Sequence, residues 1–287
     1  LRNTFRFLLG NLDGFDPAND LIPVDRCLML DQWAEQQAYD VQQAVVAAYA
    51  RHDFPEIVQR VQNFCTNEMG ALYLDITKDR LYTMPTASRG RRSAQSAMYR
   101  ILEAMVRWLA PILSFTAEEI WQHMPGTRGE SVLFETWYDG LKAAQASPEQ
   151  RRFWADLLAI REVGAKLMEV MRANREIGAS LEAEVTLYLD ATLRAELEKY
   201  ADELRFFFIV SELTLDDDGR ASPEAALVDP LKENGRIAWV AVRKTGHAKC
   251  VRCWHHRPDV GSNPAHPEIC GRCVTNIEGP GENRRWF

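Results

Sequence analysis

Four cysteines near the end of the chain carry its most explicit chemistry. Cys250 and Cys253 form one C-x-x-C pair, Cys270 and Cys273 a second, and sixteen residues separate them. Two such turns at this separation can bring four thiolates onto one Zn²⁺ in a tetrahedron with bonds of about 2.3 Å. Gly271 lets the second turn curl tightly. An iron site of the rubredoxin type uses the same ligand set, so spacing alone leaves zinc and iron both open. Two disulfides would need an oxidising compartment, which nothing in the sequence indicates. His247, His255, His256 and His266 lie close by, but four thiols already fill a tetrahedral shell. With no position left for water the metal is expected to be structural, folding about 30 residues too few to make their own core.

The elements that position this centre are read from composition and periodicity. The 287 residues are long enough for two domains and a small module, and 46% hydrophobic with 26% charged residues is ordinary for a globular protein. No apolar run reaches the length of about 18 residues that would span a membrane, and no signal peptide is visible, so a cytoplasmic protein with no membrane partner is expected. Leu1 is not a methionine, which suggests a piece of a longer chain. The net charge of −7 hides an asymmetry. From Arg236 to Phe287 nine Lys and Arg face four Asp and Glu, a surplus of five that leaves −12 for the rest. A basic, metal-pinned end on an acidic body can hold a polyanion locally.

Helical periodicity dominates up to about residue 124. Asp25–Ala50 and Phe54–Ile76 place apolar residues every three or four positions, and a third helix is expected from about Ser93 to Leu109, where Pro111 ends it. Between them Pro85 and Gly90 predict a break. Thr116 followed by Glu119 predicts a capping box for a short helix ending near Met124. Residues 125–140 read as a linker, with Val132, Phe134 and Trp137 tucked onto the helices. Ser147, Pro148 and Gln150 predict the start of a long helix reaching Asn174. Beyond Gly178 the period changes: strands are expected at Glu184–Leu189, Phe206–Leu215 and Ile237–Val242, with a helix over Leu193–Leu204. The acidic run Asp216–Asp218 reads as a solvated turn. The predicted fold is mainly α: an antiparallel helical bundle over 1–140, an α+β junction domain over 141–245, and a four-cysteine zinc ribbon or finger with a basic tail over 246–287. Cys27 and Cys65 fall on apolar faces and read as buried free thiols. Nucleotide-binding and hydrolase signatures are missing from the sequence, and no residue is expected to be catalytic.

Several stretches together resemble the C-terminal third of bacterial isoleucyl-tRNA synthetases. They are RNTFRFLLGNLDGFDP, YLDITKDRLYT, SRGRRSAQSAMYRILEAMVRWLAPILSFTAEEIW, WYDGL, REIGASLEAEVTLY, CVRCWHHRPDVG and EICGRC. The resemblance spans essentially the whole chain and implies a helical anticodon-binding domain of the class I synthetase type. It further implies that ATP, Mg²⁺ and isoleucine are handled by a catalytic body outside this sequence, so that this portion neither adenylates nor edits. The implied partners are the tRNA(Ile) anticodon stem-loop and that missing body, with a monomer as the expected state.

Within that resemblance Trp254 is the candidate stacking platform for a splayed base, with Arg252 and His255 assisting. Arg2, Arg6, Lys78, Arg89, Arg91, Arg92 and Arg175 are candidates for phosphate contacts, of which about half are expected to touch RNA. Two other readings compete. The same finger is similar to the one that closes DNA-repair glycosylases of the formamidopyrimidine type, and a zinc-stapled protein scaffold would also suit the acidic body.

Overall fold

Apolar residues at helical spacing build the first half of the chain. In the computed structural model, which describes residues 1–143, 146–216 and 221–287, α1 (Arg2–Asn11), α2 (Met29–Ala50), α3 (Phe54–Asn63), α4 (Leu74–Thr83), α5 (Arg89–Leu109) and α6 (Ser114–His123) bury Leu8, Leu30, Val45, Ile57, Ile101 and Trp121 against one another. The chain forms two units: Leu1–Ala144 together with Asn283–Phe287, and Gln145–Glu282.

Several expected boundaries shift for physical reasons. Helix α2 begins at Met29, because Val24–Arg26 forms a 3-10 turn after Pro23 and Leu28 is extended, its N–H held by Ser93 Oγ at 2.7 Å. The helix expected to stop at Ile76 runs on to Thr83, passing through a wide π-wound stretch at Phe64–Tyr73. Gly90 does not break the chain; it lies inside α5, which Ser88 caps by accepting the Arg91 N–H. The capping box expected at Thr116 is absent, since α6 starts two residues earlier behind Leu113. Val132 is buried as expected, whereas Phe134 is exposed and Trp137 half-exposed beside Tyr49, 5.5 Å between ring centroids.

A buried ionic network ties this unit together. Asp31 accepts from both Nη atoms of Arg80 at 2.7 and 2.8 Å, from Tyr73 Oη at 2.8 Å and from Ser93 Oγ. Arg80 and Asp31 are both fully buried, which is tolerable only because every charge has a partner. Glu35 pairs with Arg100 at 2.7 Å. Cys27 and Cys65 are buried free thiols, and burial pushes Cys27 up to about 12.

The tail also belongs here. Arg284 reaches Asp79 at 2.6 Å, Leu30 donates its N–H to the Trp286 carbonyl at 3.0 Å, and Phe287 is buried. A basic tail of the metal module was the expectation; in fact Arg284 is committed to an internal ion pair.

The second unit opens with α7 (Pro148–Ala173). Ser147 and Gln150 close the predicted capping box, each side chain bonding the other's backbone N–H. This helix packs on a four-stranded sheet of order β2-β1-β4-β3, with β1 (Ala183–Leu189) parallel to β2 (Glu212–Asp216) and antiparallel to β4 (Ala238–Lys244), which pairs with the short β3 (Ala226–Leu227). Val185 sits opposite both Leu213 and Val242. The expected Leu193–Leu204 helix is two, α8 (Ala191–Glu198) and α9 (Ala201–Phe208). Phe206–Phe208 is therefore helical rather than the start of a strand: Ile209 ends α9 in the left-handed region at φ 55°, and β2 begins only at Glu212. Asp217 and Asp218 lie outside the described residues.

Candidate metal centre and nucleic-acid interface

The metal module lies in the second unit together with the sheet. His256 N–H bonds Ser211 Oγ at 2.6 Å, Arg257 Nη1 donates to the Ser211 carbonyl at 3.0 Å, and the His255 ring meets Phe206 edge-on at 5.6 Å. The first knuckle is a tight turn: Trp254 N–H bonds the Cys250 carbonyl and Cys250 N–H bonds the His255 carbonyl, both at 2.9 Å. The second pair opens α10 (Gly271–Glu278). Asp259 Oδ2 accepts the Gly271 N–H at 2.9 Å, and a Cβ on residue 271 would meet that same oxygen at 2.9 Å.

All four cysteines are buried, with their Sγ atoms within 4.8 Å of one another. Cys250–Cys273 and Cys253–Cys270 are each 3.7 Å apart. Metal–sulfur bonds of about 2.3 Å in a regular tetrahedron require S–S edges of about 3.8 Å. The residues therefore fit a closed four-thiolate zinc site, in which the ion crosslinks the module and offers no open position to substrate. Cys270 N–H lies 3.4 Å from Cys250 Sγ and Arg252 Nη1 3.7 Å from Cys273 Sγ, placing donors around the thiolates. Hydrogen bonds with Cys253 and then Cys273 hold the Cys270 thiol far below the ordinary range, while those with Cys253 and then Cys270 drive Cys273 up. A second trio, Glu184, Glu212 and His247, also comes together. Arg243 binds Glu184 at 2.6 Å and Arg257 lies 3.7 Å from Glu212, so guanidinium groups already serve these carboxylates.

Trp254 is 61% exposed and takes φ 66°. For a bulky side chain the left-handed region costs about 1–2 kcal/mol, which glycine would avoid. Lys249 Nζ lies 5.4 Å from the centre of its ring. Lys249 was not among the expected contacts, although a cation immediately before the first knuckle was the available signal. Arg252 is half-buried against the metal centre, and His255 is buried on Phe206, so neither presents a free edge beside Trp254. Arg175 is exposed in the same unit, also at positive φ.

In the helical unit Arg2 and Arg6 are exposed on α1, and Lys78 is exposed on α4 with Asp75 at 2.7 Å. Arg89 donates to the Arg26 carbonyl at 3.0 Å. Arg92 holds Asp20 at 3.2 Å and Gln95 at 2.8 Å, both structural duties. Arg91 is half-buried, and burial, then the Arg92 charge, lowers its guanidinium pKa.

Comparison with known proteins places this geometry. The model for the anticodon-binding domain of tRNA ligase matches residues 31–187, more than half of the chain. The chain belongs to the tRNA-ligase anticodon-binding family. A second model, for the zinc finger found in FPG and IleRS, matches residues 249–276, which span the four cysteines. Isoleucine–tRNA ligases of Xanthomonas campestris pv. campestris (strain 8004) and Stenotrophomonas maltophilia (strain R551-3) are each 54% identical over all of this chain and 29% of their own length. That of Thioalkalivibrio sulfidiphilus (strain HL-EbGR7) is 54% identical over all of the chain and 30% of its own. The chain thus spans under a third of the curated relatives it matches. The family assignment accounts for the helices, and the finger model for the metal centre.

Proposed function

We propose that this chain is the tRNA-binding portion of an isoleucine–tRNA ligase, an enzyme that charges tRNA(Ile) with isoleucine while consuming ATP. Its role is to hold the anticodon stem-loop so that the acceptor end reaches a catalytic body supplied elsewhere in the enzyme. ATP and Mg²⁺ belong to that body, and this chain alone catalyses nothing. The working form is a cytoplasmic monomer with no membrane partner.

The observation that carries the reading is Trp254. An indole kept in solvent on a metal-pinned turn, in a backbone conformation that glycine would adopt more cheaply, makes sense as a ligand platform. Aromatic faces of this kind stack the unpaired bases of an RNA loop. Arg2, Arg6, Lys78 and Arg175 are the exposed cations proposed to meet phosphates. Arg91 and Arg92 contribute mainly by holding the bundle, while Arg252 lies against the metal centre and His255 packs on Phe206.

The finger model's own description spans two kinds of protein, so a DNA-binding role is the second reading. The experiment that separates them titrates the zinc-loaded chain with tRNA(Ile), tRNA(Met) and a DNA duplex at two salt concentrations. Preferential, salt-sensitive binding of tRNA(Ile) is expected. Equal affinity for the two tRNAs, or tighter binding of DNA, overturns the proposal.

A further inference from the structure

The second unit contains a cavity of about 180 Å³ lined by Arg205, His255, Arg257, Asp259, Cys270 and Arg272. It has room for about six waters. Three guanidinium groups and one carboxylate line it, a surplus of positive charge set against two carboxylates outside the lining, Glu282 at 3.1 Å from Arg272 and Glu212 at 3.7 Å from Arg257. The metal thiolates alongside have donors of their own in Arg252 and the Cys270 N–H.

Two of the arginines are fixed by one ring. Arg205 Cζ lies 4.5 Å and Arg272 Cζ 5.1 Å from the Phe206 centroid, which holds both guanidinium groups before any ligand arrives. The third, Arg257, uses Nη1 toward the Ser211 carbonyl and Glu212. Its Nε and Nη2 have no partner among the described residues. Asp259 supplies an independent sign of a ligand. Its Oδ2 caps α10 at Gly271, while Oδ1 is buried and accepts no hydrogen bond among the described residues. A buried carboxylate oxygen left without a donor is costly. The cavity asks for one group that is anionic and, beside it, one that donates.

We infer that this cavity seats one ribose–phosphate unit of an RNA strand, its phosphate oxygens on Arg205, Arg257 and Arg272 and its 2′-hydroxyl donating to Asp259 Oδ1. DNA or a simple anion such as sulfate can satisfy the arginines but leaves Oδ1 unpaired, so the pair of contacts distinguishes RNA from both. The inference rests on the tRNA reading only for which RNA is bound.

The test follows the arginine Nε–Hε signals of the ¹⁵N-labelled, zinc-loaded chain by NMR during titration with a pentauridylate, its 2′-deoxy counterpart and sodium sulfate. The ribonucleotide is expected to shift the Arg205, Arg257 and Arg272 signals and to bind about tenfold more tightly than the deoxy form, the scale of one hydrogen bond to a charged group. Arg257→Gln is expected to weaken ribonucleotide binding by about tenfold. Asp259→Asn keeps an oxygen for the Gly271 N–H and is expected to erase the preference for ribose. If sulfate reproduces the shifts, or if ribose and deoxyribose strands bind equally, the cavity is a general anion trap and the inference fails. It fails equally if the three signals stay still while zinc remains at one per chain. A parallel tRNA titration separates the two claims. Binding that needs Trp254 but ignores Arg257 sinks this inference alone, whereas pentauridylate binding by a chain indifferent to tRNA sinks the proposed function alone.

Discussion

At the scale of single residues, Trp254 pairs a backbone cost with a solvent-facing ring. The two sides separate by substitution. Trp254→Ala is expected to weaken tRNA(Ile) binding by about 1–3 kcal/mol, the value of a base–aromatic stack. Trp254→Gly should weaken it similarly while raising the thermal stability of the metal module, because glycine accepts φ 66° without strain. An indole that matters only for packing would give the reverse: a less stable module and unchanged affinity. Glu35 offers a pH signature. Burial, outweighing Arg100 at 2.7 Å, pushes its carboxyl up to about 7, against about 4.3 in an unfolded chain. The folded state then holds a proton that the unfolded state loses, so this group's stabilising contribution is full below about pH 4.3 and disappears as pH rises through about 7. Glu35→Gln is expected to flatten the fall in urea midpoint across that window. An unaltered pH curve would show the carboxylate ionised throughout. The four cysteines were legible in the sequence because a ligand set is a matter of residue type and spacing. Asp259 and Arg257 were not, since nothing local marks a side chain whose purpose is set by what packs above it.

At the scale of elements, the continuous helical run from Phe54 to Thr83 owes its extension to the π-wound Phe64–Tyr73 stretch. A Cβ on Gly70 would lie 2.9 Å from the Cys65 carbonyl oxygen, one residue further back than an α-turn would place it. Alanine normally improves a helix by about 1 kcal/mol over glycine. Here the clash is expected to win and Gly70→Ala to destabilise the helical unit by about 1–3 kcal/mol in urea unfolding. A stabilised variant would mean that the turn rewinds to α at little cost. Sequence pattern gave the capping box at Ser147 correctly, because both halves of that signal are local. The same signal at Thr116 misled: the chain enters α6 at Ser114 and leaves Thr116 inside the first turn. The Phe206–Phe208 run misled for another reason. Three consecutive aromatics fit a buried strand or a buried helix equally well, and the left-handed turn at Ile209 that decides between them has no glycine to announce it. The wide turn at Phe64–Tyr73 is silent for a different cause, since its apolar residues are compatible with a helix and do not announce which winding it takes.

At the scale of the molecule, metal and chain connectivity divide the work of holding the fold together. Cys270→Ser is expected to unfold roughly residues 246–282 while the helical unit keeps its circular dichroism, because binding a structural metal is coupled to folding only where its ligands are. Helix loss throughout the chain would show that the centre supports both units. The tail is where sequence reasoning missed most. Arg284 and Phe287 look like a loose basic end, and their partners Asp79 and Leu30 are remote in sequence. The Arg284–Asp79 bond spans 205 positions, and it gives the helical unit a timetable as well as a shape. A ribosome adding about 5–20 residues per second needs roughly 10–40 s to travel from Asp79 to Arg284. For that interval the nascent helices have emerged without the segment that completes them, so the acceptor for Arg284 and the site for Phe287 face solvent. A chaperone that recognises a half-built helical layer has its longest opportunity in that window, and a stop codon falling just past Glu282 would make the window permanent.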